Sequence, residues 1–300
     1  MEIGMVGLGK MGGNMTKKLL KNNHRVVVYD VNENIVKKYT EKGAVPSNSL
    51  QNLVKNIKSE KKIIWVMVPA GEIVENTVLE LSNYLSEGDI IIDGGNSNYK
   101  NSMMLAEQLK EKNIDFLDVG TSGGVWGLKE GYCLMVGGPK EAYLEVESIF
   151  KDLAPENGYN YVGENGAGHF VKMVHNGIEY AMMEVYAEGF EILKSKDDFD
   201  LNLDEIADLW NHGGVIRSWL LELTADSLKE NPNLEGVQDF VEDSGEGRWT
   251  VMESIEQEVP ASIIALSLFK RYRSRQDDSF SAKILSAMRN AFGGHEIKKE

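Results

Sequence analysis

Within residues 172–180, KMVHNGIEY, a lysine, a histidine, an asparagine and a glutamate recur at a spacing with a chemical use. On a helix, positions i, i+3, i+4 and i+7 share one face. Lys172, His175, Asn176 and Glu179 have that spacing and fall within an arc of roughly 100°. Val171, Val174 and Ile178 lie to one side of the stripe, Met173, Gly177 and Ala181 to the other. Apolar residues on both flanks predict a buried helix whose polar face lines a cavity. A lysine in such a place can be held toward its neutral form and act as a base. A glutamate there can keep its proton and act as an acid. A solvated stripe or a satisfied core histidine would show the same spacing, so the surroundings decide.

Such a helix needs a scaffold to hold it. Before it, short apolar runs alternate with amphipathic stretches. Residues 3–7, 25–29, 62–68, 90–92, 116–119 and 133–136 read as strands, and 10–22, 34–41, 71–85 and 102–112 as helices. That rhythm predicts an α/β fold over residues 1–162, a Rossmann-like doubly wound, mostly parallel sheet. From about residue 163 the strand signal stops. Stretches 169–194, 203–210, 218–230, 248–257, 262–275 and 280–292 read as helices. Residues 163–300 are therefore expected to form an all-helical C-terminal domain, joined to the first by the long helix. The tail 295–300 is expected to be frayed.

The run Gly7-Leu8-Gly9-Lys10-Met11-Gly12 follows the first strand and opens the first helix, as a dinucleotide fingerprint must. Gly7 suits the tight turn, Gly9 lets a pyrophosphate approach the backbone, and Gly12 allows close helix–strand packing. The helix start supplies free N–H groups for phosphates. A ligand-free glycine turn is the plainer alternative. Asp30, at the end of the second strand, is placed to bind the adenosine ribose hydroxyls and to repel a 2′-phosphate, which favours NAD over NADP. It could also cap the next helix; Lys37 and Lys38 are read as solvated. Two more strand ends carry loops, 66–71 (VMVPAG, with Val68, Pro69 and Ala70) and 93–97 (DGGNS, with Asn96). Both suit a nicotinamide pocket, since ligands gather beyond the carboxyl ends of such strands. A third loop, DVGTSGG at 118–124, offers Ser122 and the N–H groups of Gly123 and Gly124 to a small carboxylate or hydroxyl.

The 300 residues, 42% hydrophobic and 26% charged, suit a globular protein of two domains or one large one. A net charge of −15 argues against a general nucleic-acid binder. It also means that an anionic substrate must be met by a local basic cluster. Cys133 is the only cysteine, which excludes an intrachain disulfide and a cysteine-based metal cluster. No signal-peptide pattern opens the chain, and no apolar run approaches the roughly 18 residues of a membrane span. A cytoplasmic protein is expected.

With these pieces in place, residues 168–180, GHFVKMVHNGIEY, resemble the catalytic helix of the decarboxylating 6-phosphogluconate dehydrogenases, members of the β-hydroxyacid dehydrogenase superfamily. GLGKMG at 7–12, DGGNS at 93–97, SGG at 122–124, GEGRWT at 245–250 and RNAFGGH at 289–295 correspond, in order, to that family's other blocks. The chain is shorter than the long enzymes and is similar to the compact, often NAD-preferring branch.

The resemblance implies oxidation of 6-phosphogluconate at C3, loss of CO2 and protonation of the enediol to ribulose 5-phosphate, as in the pentose phosphate route, without a metal. It implies Lys172 as the base and Glu179 as the acid. His175 and Asn176 would hold sugar hydroxyls, while Asn96, Ser122, Gly123 and Gly124 would hold the carboxylate end. Tyr180, Arg248, Thr250, Arg271 and Arg289 match phosphate-binding positions, and His295 a tail histidine near the substrate. The counterparts of Arg289 and His295 come from a neighbouring subunit, which implies a homodimer or homotetramer. Arginine suits phosphate because its planar fork binds two oxygens. Arg271 taken alone, in the run 270–275 (KRYRSR), would read as part of a solvated face.

The chain departs from the long enzymes in three places. Arg248 stands where they usually carry lysine, VWGLKE at 125–130 replaces an acidic sequence, and Pro69 replaces a lysine. Other β-hydroxyacid dehydrogenases, such as those acting on 3-hydroxyisobutyrate, share the glycines, the Ser-Gly-Gly loop and the lysine. They generally lack the HNGIEY continuation and the arginines. A non-catalytic NAD sensor would need neither Lys172 nor Glu179.

Overall fold

The computed structural model describes residues 1–298; Lys299 and Glu300, the end of the tail expected to fray, lie outside the described residues. One eight-stranded sheet organises the first part of the chain. Its strands are β1 (Glu2–Val6), β2 (Arg25–Tyr29), β3 (Val45–Pro46), β4 (Ile63–Val66), β5 (Ile90–Asp93), β6 (Asp115–Ser122), β7 (Cys133–Gly137) and β8 (Tyr159–Gly163). They lie in the order β3-β2-β1-β4-β5-β6-β7-β8, parallel throughout except where β7 runs antiparallel to β6. The strand order reverses direction between β1 and β4, the switch point at which doubly wound sheets bind ligands.

Period-two alternation explains why the sheet is buried on both faces. Ile3, Met5, Ile63, Trp65, Ile90 and Ile92 join one core cluster. Val6, Val27, Ile64, Val66 and Ile91 join the other, on the opposite face. Helices α1 (Lys10–Lys21), α2 (Glu33–Thr40), α3 (Leu50–Asn56), α4 (Glu72–Leu81), α5 (Tyr99–Lys110), α6 (Gly127–Glu130) and α7 (Lys140–Leu153) complete this region. Several starts are capped by side chains: Asn32, Ser49 and Asn98 each accept from a backbone N–H in the next turn. Glycine opens α1 without such a cap.

Two strands escape the sequence reading. β3 has two residues, too few for any alternation to register. β8 is only partly buried at the far edge, so its polar residues hide the pattern. The expected strand 62–68 is shorter than predicted because the chain turns away after Val66. The strand expected at 116–119 extends to Ser122 because it pairs with β7 to that residue.

The 28-residue helix α8 (Ala167–Lys194) follows β8. After it come α9 (Leu203–Asn211), α10 (Trp219–Glu230), α11 (Glu246–Glu256), α12 (Ser262–Ser274) and α13 (Phe280–Gly293), with no strand among the described residues beyond Gly163. Met1–Asn176 form one compact unit and the chain from Gly177 a second. The second has its own core, in which Phe190 of α8 packs with Leu203 and Ala207 of α9 and Leu221, Ala225 and Leu228 of α10. Among the described residues no helix is long and apolar enough to cross a membrane.

Candidate active site

In the first unit the loops after β1, β4, β5 and β6 are neighbours because their strands are adjacent and parallel. Backbone bonds knit three of these loops together. Gly7 N–H donates to the Tyr29 carbonyl at 2.9 Å, Met67 N–H to Val6 at 2.8 Å and Gly94 N–H to Val66 at 3.0 Å. Gly7 has φ +90°, and a Cβ there would lie 2.4 Å from the Met67 carbonyl oxygen. A Cβ on Gly12 would lie 2.1 Å from the Gly7 oxygen, whereas one on Gly9 would meet nothing within 4 Å. The turn is therefore closed from below and open at Gly9, a cradle that a dinucleotide phosphate fits. Leu8 is buried and Met11, half-buried, packs against the core, while Lys10 is exposed.

Asp30 Oδ2 accepts from Leu8 N–H at 2.7 Å and Oδ1 from Asn32 N–H at 2.8 Å. The cap of α2 falls to Asn32, not Asp30, because the Asn32 side chain accepts from Asn34 N–H. Each Asp30 oxygen retains a lone pair for a ribose hydroxyl. Val68 is half-buried, and Pro69 and Ala70 are exposed beyond β4. The loop after β5 wraps around the buried Asp93, which accepts from Gly95 N–H at 3.0 Å and the Ser97 hydroxyl at 2.6 Å; Asn96 stands exposed at its tip.

The first turns of α8 are anchored on β6. Asp118, fully buried, accepts from Gly166 N–H at 2.7 Å and His169 N–H at 2.9 Å, at the positive end of the helix. Asn165 Nδ2 donates to the Phe116 carbonyl at 2.6 Å. Gly120 lets the helix approach closely, since a Cβ there would sit 2.4 Å from the Lys172 Cβ. Lys172 is 6% exposed and Asn176 8%, and His175 Nδ1 meets the Asn176 side-chain oxygen at 3.0 Å. β6 ends at Ser122, and Gly123 and Gly124 follow with φ +114° and +50°. The Tyr132 side chain packs beneath this loop, against Gly123 and Gly127.

The expected burial holds on one flank of the polar stripe only. Met173 is 2% exposed, but Val171 is 38% and Ile178 50% exposed, so the described residues leave that side largely uncovered.

In the second unit, side chains gather around Tyr180. Its ring lies under the Arg271 guanidinium, 3.6 Å from carbon to ring centre, and Arg271 Nη1 donates to the Glu242 carbonyl at 2.7 Å. Gly247 brings the start of α11 flat against the ring, since a Cβ there would lie 2.5 Å from Tyr180 Cδ2. Arg248 donates to the Tyr272 hydroxyl at 3.1 Å and to the buried Asp243 carboxylate at 3.0 Å, which also accepts from Arg275 at 2.8 Å. The Tyr272 hydroxyl, then Asp243, push the Arg248 guanidinium further up, so its charge is fixed. Thr250 is buried, its hydroxyl donating to the Glu246 carbonyl at 2.8 Å. Glu179 is half-buried. Arg289 and His295 are exposed on and just beyond α13, and among the described residues make no polar contact with this cluster. Asp243 and Ser244 are absent from the sequence reading, and Glu246, Tyr272 and Arg275 stand in its quoted runs without a role of their own. The contacts of Asp243, Ser244, Tyr272 and Arg275 with Tyr180, Arg248 and one another span 5 to 64 residues, for which no local spacing exists.

A nucleotide-binding sheet followed by a helical unit, with a buried lysine on the helix that leaves the sheet, defines a dinucleotide-dependent dehydrogenase. Residues 2–163 match the family model of the NAD binding domain of 6-phosphogluconate dehydrogenase, and residues 168–283 that of the 6-phosphogluconate dehydrogenase C-terminal domain. A Haloferax volcanii protein named NAD(+)-dependent, decarboxylating 6-phosphogluconate dehydrogenase is 42% identical over 302 residues, covering 100% of this chain and 99% of its own. Bacillus subtilis YqeC, provisionally named a 6-phosphogluconate dehydrogenase, is 46% identical over 300 residues with both chains fully covered. The solved Plasmodium falciparum 6-phosphogluconate dehydrogenase superposes with a TM-score of 0.84 at 28% identity, over 100% of this chain and 66% of its own. The chain belongs to the 6-phosphogluconate dehydrogenase family.

Proposed function

We propose that this chain is a compact, NAD-preferring member that oxidatively decarboxylates 6-phospho-D-gluconate to ribulose 5-phosphate. The observation that carries the reading is Lys172, buried on α8 against Gly120, beside the glycine loops of the sheet. Residues 1–162 serve the cofactor and 163–300 the substrate and subunit contacts. NAD, held by residues 7–12 and 68–70 with Asp30 and Asn96, supplies the hydride acceptor. Lys172 takes the C3 hydroxyl proton and then hydrogen-bonds the C3 carbonyl oxygen while CO2 leaves, so the substrate's own keto group accepts the electron pair. Glu179, two turns along the same helix, protonates C1 of the enediol. Ser122, Gly123, Gly124 and Asn96 hold the carboxylate end, and His175 and Asn176 the hydroxyls.

Tyr180, Arg248, Thr250 and Arg271 receive the phosphate, the local positive charge that a chain of net charge −15 needs. A phosphate-free acid such as 3-hydroxyisobutyrate would leave these arginines without a ligand. The exposed flank of α8 and the exposed Arg289 and His295 suit a homodimer or homotetramer in a cytoplasmic setting. Reduced-nicotinamide absorbance with 6-phosphogluconate, gluconate and 3-hydroxyisobutyrate, each with NAD and NADP, tests the reading. Turnover on 6-phosphogluconate, faster with NAD, is expected. Oxidation of only the phosphate-free acids would overturn it. Lys172→Ala should lose about 10²–10⁴-fold in kcat.

A further inference from the structure

The basic run at 270–275, KRYRSR, closes α12, and helical spacing divides its arginines. Arg271 and Arg275 are four residues apart and share a face, whereas Arg273 stands two from each and points elsewhere. The segment 241–244 is tied to this end of the helix and to its neighbours. Val241 N–H donates to the Ser274 hydroxyl at 3.0 Å, and the Glu242 carbonyl accepts from Arg271 at 2.7 Å. The Asp243 carboxylate accepts from Arg248 at 3.0 Å and from Arg275 at 2.8 Å, and Ser244 N–H donates to the Tyr180 oxygen at 3.0 Å. Four successive residues thus gather three arginines and the tyrosine in one place.

The charges at this place do not cancel. Asp243 has a side chain only 1% exposed, and a buried carboxylate calls for a cationic partner. Arg248 supplies that charge, and Arg275 brings a second. Even with the buried Glu246 beside Ser244 counted, three guanidiniums meet two carboxylates. Arg275 is also held in place. Its Nε donates to the Arg271 carbonyl at 3.2 Å and its Nη2 to Asp243, with the guanidinium 5.0 Å from the centre of the Tyr272 ring. Arg248 lies over the same ring at 5.9 Å. Closing the helix uses only Nε, and pairing Asp243 uses only Nη2. The two N–H groups of Nη1 have no partner among the described residues. An arm pinned at two points loses little freedom when it meets a ligand.

We infer that Arg275 is a further ligand of the substrate's phosphate, its Nη1 completing a clamp of three guanidiniums with Arg248 and Arg271. This rests on the proposed reading of Arg248 and Arg271 as phosphate ligands. Arg275→Gln tests it, with Arg273→Gln as a control that removes the same charge from the other face of the helix end.

In Arg275→Gln, KM for 6-phosphogluconate should rise about tenfold, the loss of one charge-assisted bond. The inhibition constant of inorganic phosphate should rise in parallel, while kcat and KM for NAD stay unchanged. Arg273 is exposed, so its variant should change each constant by less than about twofold, the effect of a screened charge. Arg275→Lys, which keeps the charge without the fork, should recover part of the loss. Equal effects of the two glutamine variants would reduce Arg275 to a share of the general field. A fall in melting temperature and kcat with unchanged phosphate inhibition would reduce it to a helix cap. Either result overturns the inference. Calorimetry of inorganic phosphate binding separates the two levels. A wild type that neither binds phosphate nor turns over 6-phosphogluconate sinks the proposed function. Phosphate affinity that is lost in Arg271→Ala but intact in Arg275→Gln sinks the role of Arg275 alone.

Discussion

Around the sheet, the positions offered to a ligand are largely backbone: Gly7, Gly9 and Gly12 in one loop, Gly123 and Gly124 in another, with the backbone N–H groups of Leu8 and Gly95 tied down by buried or half-buried carboxylates. Around Tyr180 they are side chains, and each is held by another side chain or a carbonyl: Arg248 by Asp243 and Tyr272, Arg271 by Glu242 and the ring itself. The first kind of site is rigid because the sheet is rigid, and at Gly7 and Gly12 it tolerates no added atom. The second is built from long, exposed or half-exposed arms, and it tolerates atoms but not changes of geometry or charge.

Substitutions that change one property at a time can break this contrast. The largest effect is expected at Gly120→Ala. Its methyl would sit 2.4 Å from the Lys172 Cβ and 2.5 Å from the Gly168 oxygen, forcing α8 to move. A displacement of Lys172, the proposed base, on the order of 1 Å lowers kcat by about 10²-fold, whereas wild-type kcat would show that the helix does not rest on β6 as described. An intermediate effect is expected at Arg271→Lys. The charge stays, but the stacked planar fork is lost, and KM for 6-phosphogluconate should rise about tenfold with KM for NAD unchanged. A lysine that served equally well would mean that charge alone matters at the helical end.

The smallest effect is expected at Tyr132→Phe, beneath the Ser122 loop. Burial pushes the Tyr132 phenol up to about 12. A folded-state value above the unfolded one, near 10, means stability that is present below that pH and lost as pH rises toward 12. Phenylalanine removes this alkaline loss. It also removes a buried hydroxyl that has no partner among the described residues, so stability at neutral pH should be unchanged or higher by about 1 kcal/mol. Melting temperatures at neutral and strongly alkaline pH check both signs.

The same contrast decides what the sequence reveals. Glycines that must turn or make room leave a spacing, so the loop at 7–12 and the SGG at 122–124 are readable before any coordinates exist. The face shared by Lys172, His175, Asn176 and Glu179 follows from helical periodicity. The supports leave no such trace. Asp118 holds α8 from 48 and 51 residues away, and Ser244 reaches Tyr180 across 64. A buried aspartate or serine looks like a turn residue until its partner is known. The exposed flank of α8 departs from the expected burial for a related reason: apolar residues declare that they want cover, but not which surface provides it.

β6 carries two duties at once. Its middle, through Asp118 and Gly120, sets the seat of α8 and hence of Lys172, and its end becomes the loop of Ser122. Two marks scribed on one ruler keep their separation however the ruler shifts. When thermal motion displaces the strand, Lys172 and the loop travel together, so their mutual spacing is steadier than the position of either.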